Sequence, residues 1–128
     1  MSAPGERYRA LVAEVRKRIR EISPADAARE AAAGAVLLDV RETVEYVRRH
    51  IRGALHLGKG IVESEIELHI PGVETPILCY CAGGNRSALV TENLERMGYT
   101  NVRSMAGGIR AWIEAGLPTV TKREALDY

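Results

Sequence analysis

Ile77-Leu78-Cys79-Tyr80, running into Cys81-Ala82-Gly83-Gly84-Asn85-Arg86-Ser87, is the stretch on which the fold turns. Residues 76–80 form a short, almost unbroken apolar run, the pattern of a strand covered on both faces in a parallel sheet. Residues 87–97 then place Leu89, Val90, Leu94 and Met97 at helical spacing and stop at Gly98. A buried strand that feeds a helix through a glycine-rich loop is the building unit of an α/β domain.

The same alternation continues on either side. Ser23-Pro24 reads as a helix cap with proline at the first helical position, opening a helix that Gly34 closes. A second apolar run at 35–40 predicts a buried strand and 43–49 a helix. Residues 54–57 and 61–69 repeat the pair, as do 102–105 and 108–115. Tyr8, Leu11, Val12, Val15, Ile19 and Ile22 predict an amphipathic helix over 7–22, with Arg16-Lys17-Arg18 as its solvated face. The expected architecture is α/β, a small mostly parallel sheet flanked by helices on both faces. Residues 1–21 form an N-terminal helical extension, 22–118 the domain proper and 119–128 a weakly patterned tail. Residues 1–6 are expected to fray.

Composition narrows the function classes. The chain has 128 residues, 46% of them hydrophobic, and a formal net charge of +1. That suffices for one ordinary core, while the mixed charges present no face that a nucleic acid would require. The longest apolar runs fall short of the roughly 20 residues of a membrane span, and no apolar signal-peptide core is visible. Two cysteines, Cys79 and Cys81, cannot build a disulfide framework, so a reducing cytoplasm is the expected location.

Chemistry concentrates in the loop. Such loops follow the carboxyl ends of parallel strands, where ligands bind in open sheets. Gly83 and Gly84 allow positive φ angles that turn successive N–H groups inward, and the helix from Ser87 adds partial positive charge. A sulfur at Cys81 then sits among donors that stabilise an anion, including a terminal persulfide. Cys79 shares the strand parity of Cys81 but lies inside the apolar run, where a small hydrophobe belongs. His50, His56 and His69 are scattered without metal-ligand spacing and read as structural or surface residues.

Four separated segments make the chain recognisable: Leu38-Asp39-Val40-Arg41-Glu42 with Glu45-Tyr46, His50-Ile51 with Gly53-Ala54, the loop 81–87, and Gly107-Gly108 with Trp112. In order and spacing they resemble the rhodanese-like domains, specifically the single-domain sulfurtransferases, across about residues 22–118. Arg49 and Arg52 stand where that family commonly has glycine and proline. The resemblance implies that Cys81 takes sulfane sulfur from a small donor such as thiosulfate. It then passes the sulfur to a thiol, cyanide or a sulfur-acceptor protein, with no metal and no organic cofactor.

The resemblance makes residues 82–87 (Ala82, Gly83, Gly84, Asn85, Arg86 and Ser87) the substrate-binding loop, with Asp39 and Arg41 in support. Arg86 is placed either to hold an anionic donor or to brace the loop by pairing with a carboxylate. Lys59 and Arg52 read either as solvated surface residues or as a pocket rim that attracts thiosulfate by charge. Gly107, Gly108 and Trp112 read as architecture. Two other functions stay open: a sulfur-delivery module within a complex, and a phosphatase or arsenate reductase. Members of that last class separate cysteine from arginine by five residues, against the four between Cys81 and Arg86 here.

Overall fold

The structure, a computed structural model, describes residues 4–123. Its order is α1 (Glu6–Arg16), β1 (Glu21–Ile22), α2 (Pro24–Ala32), β2 (Val36–Asp39), α3 (Thr43–Arg48), β3 (Arg49–His50), β4 (Leu55–His56), α4 (Val62–His69), β5 (Ile77–Tyr80), α5 (Asn85–Arg96), β6 (Val102–Met105), α6 (Gly108–Glu114) and β7 (Val120–Thr121). Five strands form one parallel sheet in the order β1-β6-β5-β2-β4, and β3 pairs antiparallel with β7. No helix among the described residues is long and apolar enough to cross a membrane.

β5 lies at the centre of the sheet, which explains its unbroken apolar sequence, since all four of its residues are buried. Leu38, Cys79, Cys81, Val90 and Leu94 pack with Val62 and Ile66 on one face, beneath α4 and α5. Leu78 and Tyr80 point to the other face, where Ala27 of α2 and Ile109 and Trp112 of α6 cover them. Each fully buried aliphatic side chain in these layers contributes about 1.5–3 kcal/mol relative to exposure.

The N-terminal helix ends earlier than its periodicity suggests. Val12 and Val15 pack on Ala88 of α5, with Ile19 against the same cluster, but Ile22 belongs to the core on the other side of the sheet. Glu21 and Ile22 instead pair with Ser104 and Met105 as an edge strand. The expected solvated face also changes: Arg18 binds Glu92 at 2.7 Å and Arg16 turns toward the loop after β5, leaving Lys17 in solvent. α2 begins as its sequence indicates, with Ser23 Oγ accepting from the Asp26 N–H at 3.2 Å.

At the other end, Arg49 leaves α3 to form β3, and Val120, in the segment read as a weakly patterned tail, is buried against it. Of the stretch expected to fray, Gly5 caps α1 and Glu6 begins it. Residues 1–3, and 124–128 of the tail, lie outside the described residues.

Candidate active site

Cys81 follows the last residue of the central strand, at the carboxyl edge of the sheet, and α5 starts four residues later. The helix begins at Asn85, two residues before the expected start, so Ser87 lies within its first turn. The first N–H groups of a helix have no intrahelical partners. Here two of them have sulfur: the Gly84 N–H donates to Cys81 Sγ at 3.1 Å and the Ser87 N–H at 3.4 Å. The helix dipole of α5 favours negative charge at the same point.

Ser87 Oγ completes the ring, 3.5 Å from Cys81 Sγ, where it accepts from the thiol. It also lies 2.8 Å from Ser104 Oγ on β6, and either hydroxyl can be the donor. That freedom matters chemically. Once the sulfur is an anion, Ser104 can donate to Ser87, which in turn donates to sulfur. Ser104 is a contributor that sequence reasoning missed, because nothing local links it to the loop.

The two loop glycines differ. Gly84 has φ +102°, a left-handed angle that only glycine adopts freely, whereas Gly83 lies outside that region. Gly83 instead permits close approach: a Cβ there would lie 3.2 Å from a guanidinium nitrogen of Arg110. Ala82 contributes its carbonyl, which accepts from the Arg110 N–H at 3.2 Å, and the Cys81 carbonyl accepts from the Ile109 N–H at 2.9 Å. Gly108, at φ +60°, makes this union possible. A Cβ there would fall 2.5 Å from the Cys81 carbonyl oxygen and 2.6 Å from the Ala82 carbonyl. Gly108, read from the sequence as architecture, is therefore also a seat for the loop.

Two side-chain pairs fix the outer wall. Asn85 Oδ1 accepts from Arg16 of α1 at 3.0 Å. Arg86 turns away from the sulfur and forms a two-pronged pair with Glu45 of α3, at 2.7 and 3.0 Å. This is the bracing geometry for Arg86. The Arg86 hydrogen bond holds the Glu45 carboxyl below its ordinary range, against a smaller opposing effect of burial. Stability from such a group is fully present above the unfolded carboxylate range and is lost as pH falls through the folded value.

Both partners are about 30% exposed, so the pair contributes about 0.5–1 kcal/mol. Urea unfolding of Glu45→Gln is expected to show that loss at neutral pH. The gap to wild type should close as acid protonates Glu45, and a gap that persisted there would point to packing rather than charge.

Asp39 and Arg41 are both buried and lie behind the site. The Asp39 carboxylate accepts from the Arg41 backbone N–H at 2.9 Å and from its guanidinium at 2.8–3.2 Å. The same guanidinium donates to the Arg49 carbonyl at 2.6 Å and lies 5.7 Å from the Tyr80 ring centroid. Tyr80 Oη in turn accepts from the Ile51 N–H at 3.1 Å. The group locks the segment after β2 to the strand that carries Cys81.

His50 and His56 stack on Tyr46 at ring-centroid distances of 4.0 and 4.6 Å, next to Glu45. Arg52 lines a groove with Ala28 and Trp112 beside α2 and α6. Lys59 is half-buried, its N–H held by the Val40 carbonyl.

Cys79 is fully buried, and desolvation pushes its thiol up to about 12. It therefore stays protonated at neutral pH. Cys79→Ala is expected to leave sulfur uptake unchanged while costing about 1 kcal/mol through a small cavity. Loss of uptake by a stably folded Cys79→Ala protein would assign this thiol a part in the reaction.

The family model described as Rhodanese-like domain matches residues 23–115. Thiosulfate sulfurtransferase GlpE of Haemophilus influenzae is 34% identical over 103 residues, covering 80% of this chain and 95% of that protein. A rhodanese-related protein of Thermoplasma volcanium superposes with a TM-score of 0.69 at 33% identity, covering 79% and 97% of the two chains. A Rhodopseudomonas palustris protein described as a possible tyrosine phosphatase gives a TM-score of 0.75 at 29% identity, covering 92% and 98%.

Proposed function

The chain belongs to the rhodanese-like domain family and is a rhodanese-type enzyme, and from that premise we propose that it carries sulfane sulfur as a persulfide on Cys81. The observation that carries this reading is the ring around Cys81 Sγ, made of the Gly84 and Ser87 N–H groups and the Ser87 hydroxyl. Donors fixed before the reaction stabilise the thiolate that attacks and the persulfide anion that results, without rearranging when charge appears.

The donor is thiosulfate, as the name of the Haemophilus relative suggests, or a persulfide. The acceptor is a thiophile: cyanide, a thiol or a sulfur-acceptor protein. Attack by an ionised thiol on sulfane sulfur needs no general base, which agrees with a site whose near neighbours are amides and hydroxyls. The four residues between Cys81 and Arg86 favour sulfur over a phosphoryl group, because a tight ring suits a single atom. The domain proper is residues 22–118, preceded by a segment, 1–21, whose Arg16 reaches the loop and whose Glu21 joins the edge strand.

Intact-protein mass spectrometry after incubation with thiosulfate tests the reading. The expected result is a gain of one sulfur that maps to Cys81 and is discharged by cyanide or a thiol. No gain from thiosulfate or from a persulfide donor would overturn it.

A further inference from the structure

Four arginines surround or support the loop, and three are occupied. Arg86 is neutralised by Glu45, and Arg41 by Asp39. Arg16 binds Asn85 and lies 3.6 Å from the Glu21 carboxylate. The guanidinium of Arg110 is exposed and, among the described residues, has no hydrogen-bond or ion-pair partner. The backbone of Arg110 is nevertheless held. The Arg110 and Ile109 N–H groups hold the Ala82 and Cys81 carbonyls, Gly108 packs on the Cys81–Ala82 peptide, and the guanidinium rests against Gly83. Gly83 immediately precedes the residue whose N–H donates to the sulfur.

We propose that Arg110 is the anion-binding and specificity residue of this site, holding the sulfonate oxygens of a thiosulfate-class donor. The proposal rests on the sulfurtransferase reading above. The Cys81 thiolate attacks the terminal sulfur of thiosulfate, forming the Sγ–S bond. The bond between the two thiosulfate sulfurs breaks, and its electron pair leaves with sulfite. Three negative charges enter and three remain, one on the persulfide and two on sulfite, with no proton and no outside oxidant required. The leaving dianion is the species that an unneutralised guanidinium serves best, because planar paired donors match the oxygens of an oxyanion. Arg86 cannot take this part without giving up Glu45.

Steady-state kinetics with two donors tests the assignment: thiosulfate, and a persulfide bearing an uncharged alkyl group, which lacks sulfonate oxygens. Arg110→Ala is expected to melt with the wild type and to raise KM for thiosulfate about 10- to 100-fold, the loss of a charge-assisted contact. KM for the alkyl persulfide should change less than about twofold, and Arg110→Lys, which keeps the charge but loses the paired donors, should recover only part of the thiosulfate affinity. An unchanged thiosulfate KM would overturn the proposal. Equal loss with both donors would also overturn it, since Arg110 would then act only by shaping the loop. Wild-type protein that takes sulfur from neither donor would remove the sulfurtransferase reading itself, and this proposal with it.

Discussion

Replacing Cys81 with serine is expected to lower kcat/KM for sulfur transfer at least about 1000-fold while leaving the fold and melting temperature close to those of the wild type. The fold should tolerate the change because serine is nearly isosteric and inherits a polar ring: the Gly84 and Ser87 N–H groups lie 3.1 and 3.4 Å from the sulfur position. The chemistry should not. A serine hydroxyl is scarcely ionised at neutral pH, and oxygen has no exchange reaction comparable to that of thiolate with sulfane sulfur. Cys79 cannot substitute, being protonated and sealed in the core. Turnover with thiosulfate and cyanide, measured beside a thermal melt, checks both halves. Activity retained by a folded Cys81→Ser protein would sink the persulfide mechanism.

Asp39→Asn is expected to cost about 3–5 kcal/mol, a large share of the stability of a domain this size. Asp39 is fully buried and Arg41 only 5% exposed, so the amide would leave a guanidinium without counter-charge and without solvent. Burial alone would depress the Arg41 basicity, yet the Asp39 hydrogen bonds and charge more than offset it, and Arg41 is held above its ordinary range. Without Asp39 that support is lost, yet a guanidinium is basic enough to stay charged, so the variant strands a charge rather than neutralising it. Chemical denaturation measures the loss, and an Asp39→Asn/Arg41→Met double variant should recover part of it by removing the stranded charge. A cost below about 1 kcal/mol for the single variant would mean that water or another group solvates Arg41.

The elements that show plainly in the sequence are those whose cause is local. Ser23-Pro24 starts α2 because cap and ring chemistry act within one turn. β2 and β5 are readable because a strand covered on both faces must be apolar throughout. Cys81 and its loop are readable for the same reason: the donors around sulfur lie within six residues of it.

What escapes the sequence is contributed from afar. Ile19 and Ile22 continue a helical period by coincidence, since one packs under α1 and the other serves the edge of the sheet. Two-residue strands such as β3 and β7 exist only through their partner and leave no run to read. Arg16, Ser104 and Arg110 look like ordinary surface or strand residues, and Glu45 shows only as part of a motif, until folding brings them to the loop. Gly83 and Gly84 look alike in sequence, yet one supplies a backbone angle and the other an empty space.

The seat that Gly108, Ile109 and Arg110 provide for the Cys81–Ala82 peptide also bears on how the protein is made. A ribosome adds residue 81 before residues 107–110 exist, so a nascent chain holds its cysteine in a loop that still lacks this seat. The Cys81 and Ala82 carbonyls gain their N–H partners only when α6 docks, after the strand that leads to the cysteine has been synthesised. The loop is thus completed by chain made after it, and its backbone reaches its final support late in synthesis.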